Sequence, residues 1–283
     1  MNVQADAAIE TPSGKGSGDE NFPVGSWLIP KPLRPHVATY YAFARAIDDI
    51  ADNPRLSPED KTQRLIGFAS ALTGGNPDPA YAKAHALRAT FKATGISPIH
   101  GLDLISAFKQ DAVKPRYESW DELIDYCLRS AAPVGRFLCD LHGEDKALYP
   151  LSDALCNALQ VINHLQDCGD DYAVMDRVYL PLEWMQTEDA SVMDLKNASS
   201  SPALRRVLDR CIAGAEALLV EARKLPKAMK HKSLAAETAV IVGVADALTR
   251  RLAKQDPLAK RVALGPFGFC GAAGRGLMRL WFA

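Results

Sequence analysis

The sequence predicts an all-α fold, a single-domain helical bundle, on three observations. Apolar residues recur every three to four positions through most of the chain, the spacing that stripes one face of a helix. The strict alternation of half-buried strands is scarce. The breaks are short clusters of Pro, Gly, Ser and Asn, and neither an internal repeat nor a long linker divides the 283 residues.

Residues 1–19, rich in Gly, Ser, Ala and acids, carry no apolar period and read as a disordered lead-in. The apolar stretch Asn21–Pro30 is closed by Pro30-Lys31-Pro32, which releases a helix from Pro35 to Asp52. Ser57-Pro58 reads as an N-cap with proline in the first turn, starting a helix to about Leu72. After the loop 74–79, helices are expected over about 80–94 and again through Leu102, Ile105, Phe108 and Asp111, separated by Gly95-Ile96-Ser97-Pro98. The basic connector Val113–Tyr117 leads to a helix from Ser119 to about Ala132. Pro133-Val134-Gly135 interrupts it inside an apolar stretch, and the pattern resumes through Leu141. Such a break leaves backbone groups free near a cavity. Helices follow over 152–172, 202–225 and 233–254, and 189–201 is loop-rich. The main domain is expected to span 20–261, with an apolar, glycine-rich tail at 262–283.

Composition narrows function. With 48% hydrophobic residues the chain can bury a large core, and a net charge of −1 offers no basic field for nucleic acid. The cysteines Cys127, Cys139, Cys156, Cys168, Cys211 and Cys270 form no CxxC pair and read as reduced, buried thiols of a cytoplasmic protein. No apolar signal core or membrane-spanning run is present in the sequence. The histidines His36, His85, His100, His142, His164 and His231 show no ligand spacing and read as structural or exposed. Gly265–Gly274 lacks GxGxxG and a preceding strand, so it is not read as a nucleotide loop. With Arg275, Arg279 and Trp281 the tail suits packing on the core or peripheral contact with a membrane.

Two acid-bearing stretches carry the chemistry. At about 100° per residue, Tyr41, Arg45, Asp48 and Asp52 project within roughly 60° of one another, beside an apolar stripe that includes Phe43, Ile47 and Ile50. Gln160, Asn163, Asp167 and Asp171 fall within roughly 80° on a second helix, beside Val161, Ile162 and Leu165. Asp48, Asp49 and Asp52 sit at a helix C-terminus, where the helix dipole and like-charge neighbours each cost on the order of 0.3–1 kcal/mol. That placement asks for a cation. A single acid pair could be a solvated helix end, but two pairs, each bordering an apolar stripe and preceded by a polar residue, point to a metal site. Asp48, Asp49, Asp52, Asn163, Asp167, Asp170 and Asp171 are hard oxygen donors suited to Mg²⁺, which bridges carboxylates to substrate phosphates. Arg45, Lys114, Arg116 and Arg177 are candidate diphosphate partners, and Tyr41 and Gln160 complete the candidate substrate-binding set.

Across roughly residues 20–260 the sequence resembles the squalene and phytoene synthase family of head-to-head prenyl synthases. The resemblance rests on Tyr41-Ala42-Phe43-Ala44-Arg45 with Asp48–Asp52, Lys114–Tyr117, Tyr126 with Pro133-Val134-Gly135, and Asn163–Asp171 leading to Arg177–Pro181. Asn21–Val24 and Asn163–Cys168 look most like the hopanoid-pathway branch, the hydroxysqualene synthases. The resemblance implies an isoprenoid-synthase bundle with a central cavity. In it Asp48, Asp52, Asn163, Asp167 and Asp171 would hold Mg²⁺ on a prenyl diphosphate, with Asp48, Asp52, Asp167 and Asp171 as the catalytic acids. It further implies presqualene diphosphate as substrate, capture of the rearranged cation by water, and partner enzymes that make this substrate and reduce the product. No reductant would be needed. The sequence departs from many relatives at Glu20-Asn21-Phe22, Arg129 and Gln166, where a basic residue, Tyr and Arg are common. A less basic second diphosphate site would follow. A complete synthase joining two prenyl diphosphates is the alternative, and a non-catalytic assembly factor of the same fold a minor one.

Overall fold

A computed structural model describes residues 9–12, 14 and 28–282. The lead-in expectation falls mostly, and the Asn21–Val24 motif wholly, outside the described residues. Within them the chain is helical, with α1 Arg34–Ala51, α2 Pro58–Thr73, α3 Ala82–Thr94, α4 Ile99–Asp111, α5 Trp120–Ser130 and α6 Ala132–Leu141 in its first half. The second half holds α7 Tyr149–Met175, α8 Leu182–Thr187, α9 Pro202–Ala222, α10 Leu225–Ala228, α11 Lys232–Leu252 and α12 Pro266–Phe282. Short 3-10 turns occupy Pro79–Tyr81, Lys146–Leu148 and Val192–Lys196. Among the described residues the pairing of extended backbone is limited to one parallel bridge, Arg116 with Val178, continued where Leu182 N–H donates to Tyr117 O at 2.9 Å.

Local chemistry sets the helix ends. The side chains of Ser57, Ser119 and Ser201 accept from the backbone N–H three residues on, and Pro58 and Pro202 occupy first-turn positions where a missing N–H costs nothing. Gly74 ends α2 at φ +94°, a conformation that favours glycine. The expected helix from Ala80 begins instead as a 3-10 turn, because Asp78 caps Ala80 N–H and α3 starts only at Ala82. The break near Pro133 lies at Ala131, whose φ of −125° ends α5 before Pro133 seats itself in the first turn of α6.

Two apolar cores result. One gathers Phe43, Ile47, Phe68, Leu87 and Leu104 from α1–α4, with Phe137 of α6; Tyr40 stacks on Phe137 at 4.2 Å. The other gathers α5, α7, α9 and α11 around Ile162, Leu208, Leu219 and Leu248. The last helix, α12, lies against α11 at very close range, since a Cβ on Gly276 would sit 2.0 Å from Ala239 O. Asp246 of α11, 1% exposed, pairs with Arg223 at 2.8 Å and with Arg279 of α12. The cysteines are free thiols. Cys127, Cys139, Cys168 and Cys211 are buried as expected, but Cys156 is half-buried and Cys270 is exposed because it faces away from α11.

Candidate active site

The seam between the two cores holds a polar cavity of about 270 Å³. The first core supplies Arg45, Asp48 and Asp52 from the end of α1, and Phe108 and Asp111 from α4. The second supplies Tyr126 from α5 and Gln160, Asn163, His164, Asp167, Asp171 and Met175 from α7. Arg177, Tyr179 and Arg261 close it from loops. The two acid rows expected from helical spacing therefore share one cavity, each carried there by the apolar stripe that docks its helix.

The cation demanded by the end of α1 is present. Arg177, 5% exposed, donates to Asp52 Oδ1 at 2.7 Å, to Ala51 O at 3.2 Å and to Asp111 O at 3.5 Å. One guanidinium thus serves the last carbonyls of both α1 and α4, the favourable place for positive charge on a helix dipole. Arg45 meets Asp48 at 2.9 Å and Asp49 at 2.6 Å, and Arg261 holds Asp167 through both oxygens at 2.7 and 3.2 Å. Asp171 has no ion pair among the described residues. Burial pushes its carboxyl up to about 7, helped by repulsion from Asp167 and Asp52. Burial, then Asp52, likewise drives the Asp48 carboxyl well above the usual range.

An aromatic wall adjoins the acids. Asp111 accepts from the hydroxyls of Tyr179 at 3.2 Å, Tyr117 at 3.4 Å and Tyr126. Desolvation raises Asp111 to about 6, although Arg177 and the Tyr126 hydroxyl oppose it. His164 stacks on Tyr179 at 3.6 Å, and burial followed by the Arg177 charge lowers the imidazole to about 3. It is therefore neutral at working pH, and its ring joins the tyrosines as an uncharged face.

Other expected site residues lie elsewhere. Asp49 and Asp170 open into an adjoining depression with Arg55 and Val174, since each is about 100° round its helix from its neighbour in the central row. Asp52 and Asp171 border both spaces. Lys114 is paired with Glu122 and faces an adjoining cleft beside Lys61 and Lys196, which shares Asp111 and Arg177 with the central cavity. Arg116 pairs with Asp176 at 2.6 Å and lies over the Tyr172 ring. Tyr41 is half-buried on α1 and is not part of the walls of these cavities. Asp111 and Arg261 were not singled out from the sequence as site residues. Asp111 ends an apolar helix with an acid, the same signal that marked α1. Arg261 follows a loop with no periodic pattern, and only folding brings it to Asp167, 94 positions away.

The donors suit a divalent cation shared with a ligand. Among the described residues no three His, Cys, Asp or Glu side chains converge on one point. The central carboxylates are held apart on opposite helices, three of them by arginines. The donor chemistry, carboxylates with an amide oxygen, fits Mg²⁺, which takes one or two carboxylates per ion and completes its shell with phosphate oxygens and water. The Asp48 and Asp171 carboxyls are raised first by burial and then by neighbouring carboxylates, a repulsion that a bound cation would relieve. Next to it lies an apolar cavity of about 160 Å³, lined by Val134, Leu138, Leu155, Leu159 and Ile241. Gln160 and Asn163 belong to the walls of both cavities, which sets the apolar one directly beside the acid rows.

Comparison with known proteins agrees. The squalene/phytoene synthase family matches over residues 16–267. The chain is 44% identical to a hydroxysqualene synthase of Zymomonas mobilis subsp. mobilis over 93% of this chain and 90% of that protein. It is also 44% identical to a hydroxysqualene synthase of Rhodopseudomonas palustris, covering 93% and 89%. A crystal structure of a squalene synthase from Alicyclobacillus acidocaldarius superposes with a TM-score of 0.70 at 31% identity, covering 81% of this chain and 86% of that one. A ligand-bound dehydrosqualene synthase shares the fold at a TM-score of 0.72 and 21% identity, over 91% and 90% of the two chains. The chain belongs to the squalene/phytoene synthase family.

Proposed function

We propose that the protein is a hydroxysqualene synthase, converting presqualene diphosphate and water to hydroxysqualene and diphosphate. The observation that carries the chemistry is the shared wall: Gln160 and Asn163 join an acid-rich cavity to an apolar one. The choice of substrate draws on the two 44%-identical relatives. In this reading Asp48, Asp52, Asn163, Asp167 and Asp171 hold Mg²⁺ against the diphosphate, with Asp49 and Asp170 bordering from the adjoining depression. Bound there, Mg²⁺ neutralises charge developing on the leaving group.

The chain's own residues do the rest. Arg45 and Arg261 are available at the acid rows to turn toward phosphate oxygens, whereas Arg177 is committed to backbone and Asp52 and preorganises the floor. Tyr126, Tyr179 and neutral His164 present rings rather than charges to the carbocation, and Asp111 ties the phenol oxygens away from it. The apolar walls exclude bulk water until rearrangement is complete.

The product is a membrane-soluble C30 alcohol, and α12 supports a peripheral contact with the bilayer. Phe267 is 95% exposed, and Met278, Trp281 and Phe282 are exposed beside Arg275 and Arg279. No described helix is long and apolar enough to cross a membrane. We place the enzyme on the cytoplasmic face of the inner membrane, between an enzyme that makes presqualene diphosphate and one that reduces hydroxysqualene. Incubation of purified protein with Mg²⁺ and presqualene diphosphate, without NADPH, is expected to yield hydroxysqualene. Its absence overturns the reading. Equal liposome binding with and without residues 265–283 removes the membrane contact.

A further inference from the structure

The apolar cavity contains one polar atom that the protein leaves unanswered. Ser130, 8% exposed, lines the cavity, and its hydroxyl has no hydrogen-bond partner among the described residues. A buried hydroxyl without a partner is unfavourable, because it has given up water and gained nothing in return. Helix serines commonly relieve that cost by bonding the carbonyl one turn back, and Ser130 does not. The other polar groups of this wall are engaged: Gln160 with His164 at 3.3 Å, Thr238 with Met229 Sδ at 3.5 Å, and Ser152 with Cys139. Asn163 also has an interaction of its own.

The placement of Ser130 is specific. Tyr126, four residues earlier on α5, lines the polar cavity, so Ser130 stands one helical turn, about 6 Å, deeper toward the apolar end. It is the last residue of α5, directly before the bend at Ala131, and faces a space shared with Gln160 and Asn163. A group at this depth lies beside the middle of a substrate whose diphosphate occupies the acid rows.

The geometry points to Ser130 as the residue that positions the water which ends the reaction, and so decides between alcohol and hydrocarbon. This rests on the hydroxysqualene reading above. After the carbon–oxygen bond to diphosphate breaks and the skeleton rearranges, an allylic carbocation remains. A water held by the Ser130 hydroxyl gives a lone pair to that carbon, forming the new carbon–oxygen bond. Its surplus proton passes to the departed diphosphate, so charge and atoms balance and no electrons are exchanged. Without a held water, the cation loses a proton from the adjacent carbon to the same diphosphate and becomes a C30 hydrocarbon.

The test is product partition at saturating presqualene diphosphate and Mg²⁺, measured by gas chromatography alongside diphosphate release. In S130A and S130C the ratio of hydroxysqualene to hydrocarbon is expected to fall about tenfold, the effect of one lost hydrogen bond of about 1.4 kcal/mol. Diphosphate release should stay within about twofold, because the carbon–oxygen bond to diphosphate breaks before the held water reacts. S130T, which keeps the hydroxyl, is expected to restore the alcohol. A purely structural role would change total turnover and melting temperature but not the partition. An unchanged ratio in S130A or S130C, with wild-type protein making hydroxysqualene, overturns the Ser130 assignment alone. Wild-type protein that makes no hydroxysqualene overturns the functional reading and this assignment with it.

Discussion

Replacing Arg177 with Met keeps most of the side-chain volume and removes the charge that joins α1, α4 and the loop after α7. The guanidinium is 5% exposed and serves Asp52 Oδ1, Ala51 O and Asp111 O. Stranding the partner of a buried ion pair costs roughly 3–5 kcal/mol. Two features place this case near the lower end. The Asp52 side chain is 38% exposed, so water replaces part of what it loses. Asp111 already stands near 6 and can escape by taking a proton. The expected loss is about 3 kcal/mol, which at roughly 2–4 °C per kcal/mol for a chain of this size lowers the melting temperature by about 6–12 °C. Circular dichroism melts at pH 7 without divalent cations measure it directly. Arg177→Lys should fall between the two, since one ammonium cannot span acceptors on three segments. A shift below about 2 °C in Arg177→Met would refute the account, and would return Arg177 to the role of a ligand-facing cation.

Further outcomes follow from the same geometry. Asp48→Asn and Asp167→Asn should each cut turnover on presqualene diphosphate by at least about a hundredfold while far-ultraviolet circular dichroism stays unchanged; activity within about threefold of wild type contradicts the metal assignment. Asp111 has a folded-state pKa of about 6, above the roughly 3.9 of an unfolded Asp, so its neutral form is favoured by folding. Its contribution is full below pH 4 and falls by about 3 kcal/mol as pH rises through 6, a pH-dependent loss that Asp111→Asn should lack. Urea unfolding at pH 4 and 7 that shows the same difference in both proteins would disprove this. Gly276→Ala would put a methyl 2.0 Å from Ala239 O, backbone that cannot swing aside. We expect α12 to lift from α11 at a cost of about 1–3 kcal/mol, exposing Arg275 and Arg279 to trypsin faster than in wild type; unaltered cleavage refutes it.

The all-α class and the helix boundaries were legible because they are local. Serine caps at Ser57, Ser119 and Ser201, and the proline break before α6, act within a turn of themselves, and those helices depart from the expected ends by only a few residues; α12, Pro266–Phe282, was missed because its glycines mask the helical period of what reads only as an apolar tail. The Asp48–Asp52 and Asp167–Asp171 rows were legible for the same reason. A helix converts spacing into direction, and the apolar stripe beside each row says which way that direction points.

Tertiary structure decided what lies opposite each row. Arg261 reaches Asp167 from a loop, Arg177 lines the central cavity while pairing with Asp52 and the carbonyls that end α1 and α4, and Lys114 and Arg116 pair with Glu122 and Asp176. The partners of long cationic side chains depend on chain segments tens of residues away, and no local period records them. The same holds for Ser130, an ordinary serine in the sequence. It becomes a candidate water holder only because folding surrounds it with apolar side chains and gives its hydroxyl nothing to bond. Helical period by itself determined the direction of each acid row, whereas burial and charge, which belong to the packed chain, decided what each polar group meets.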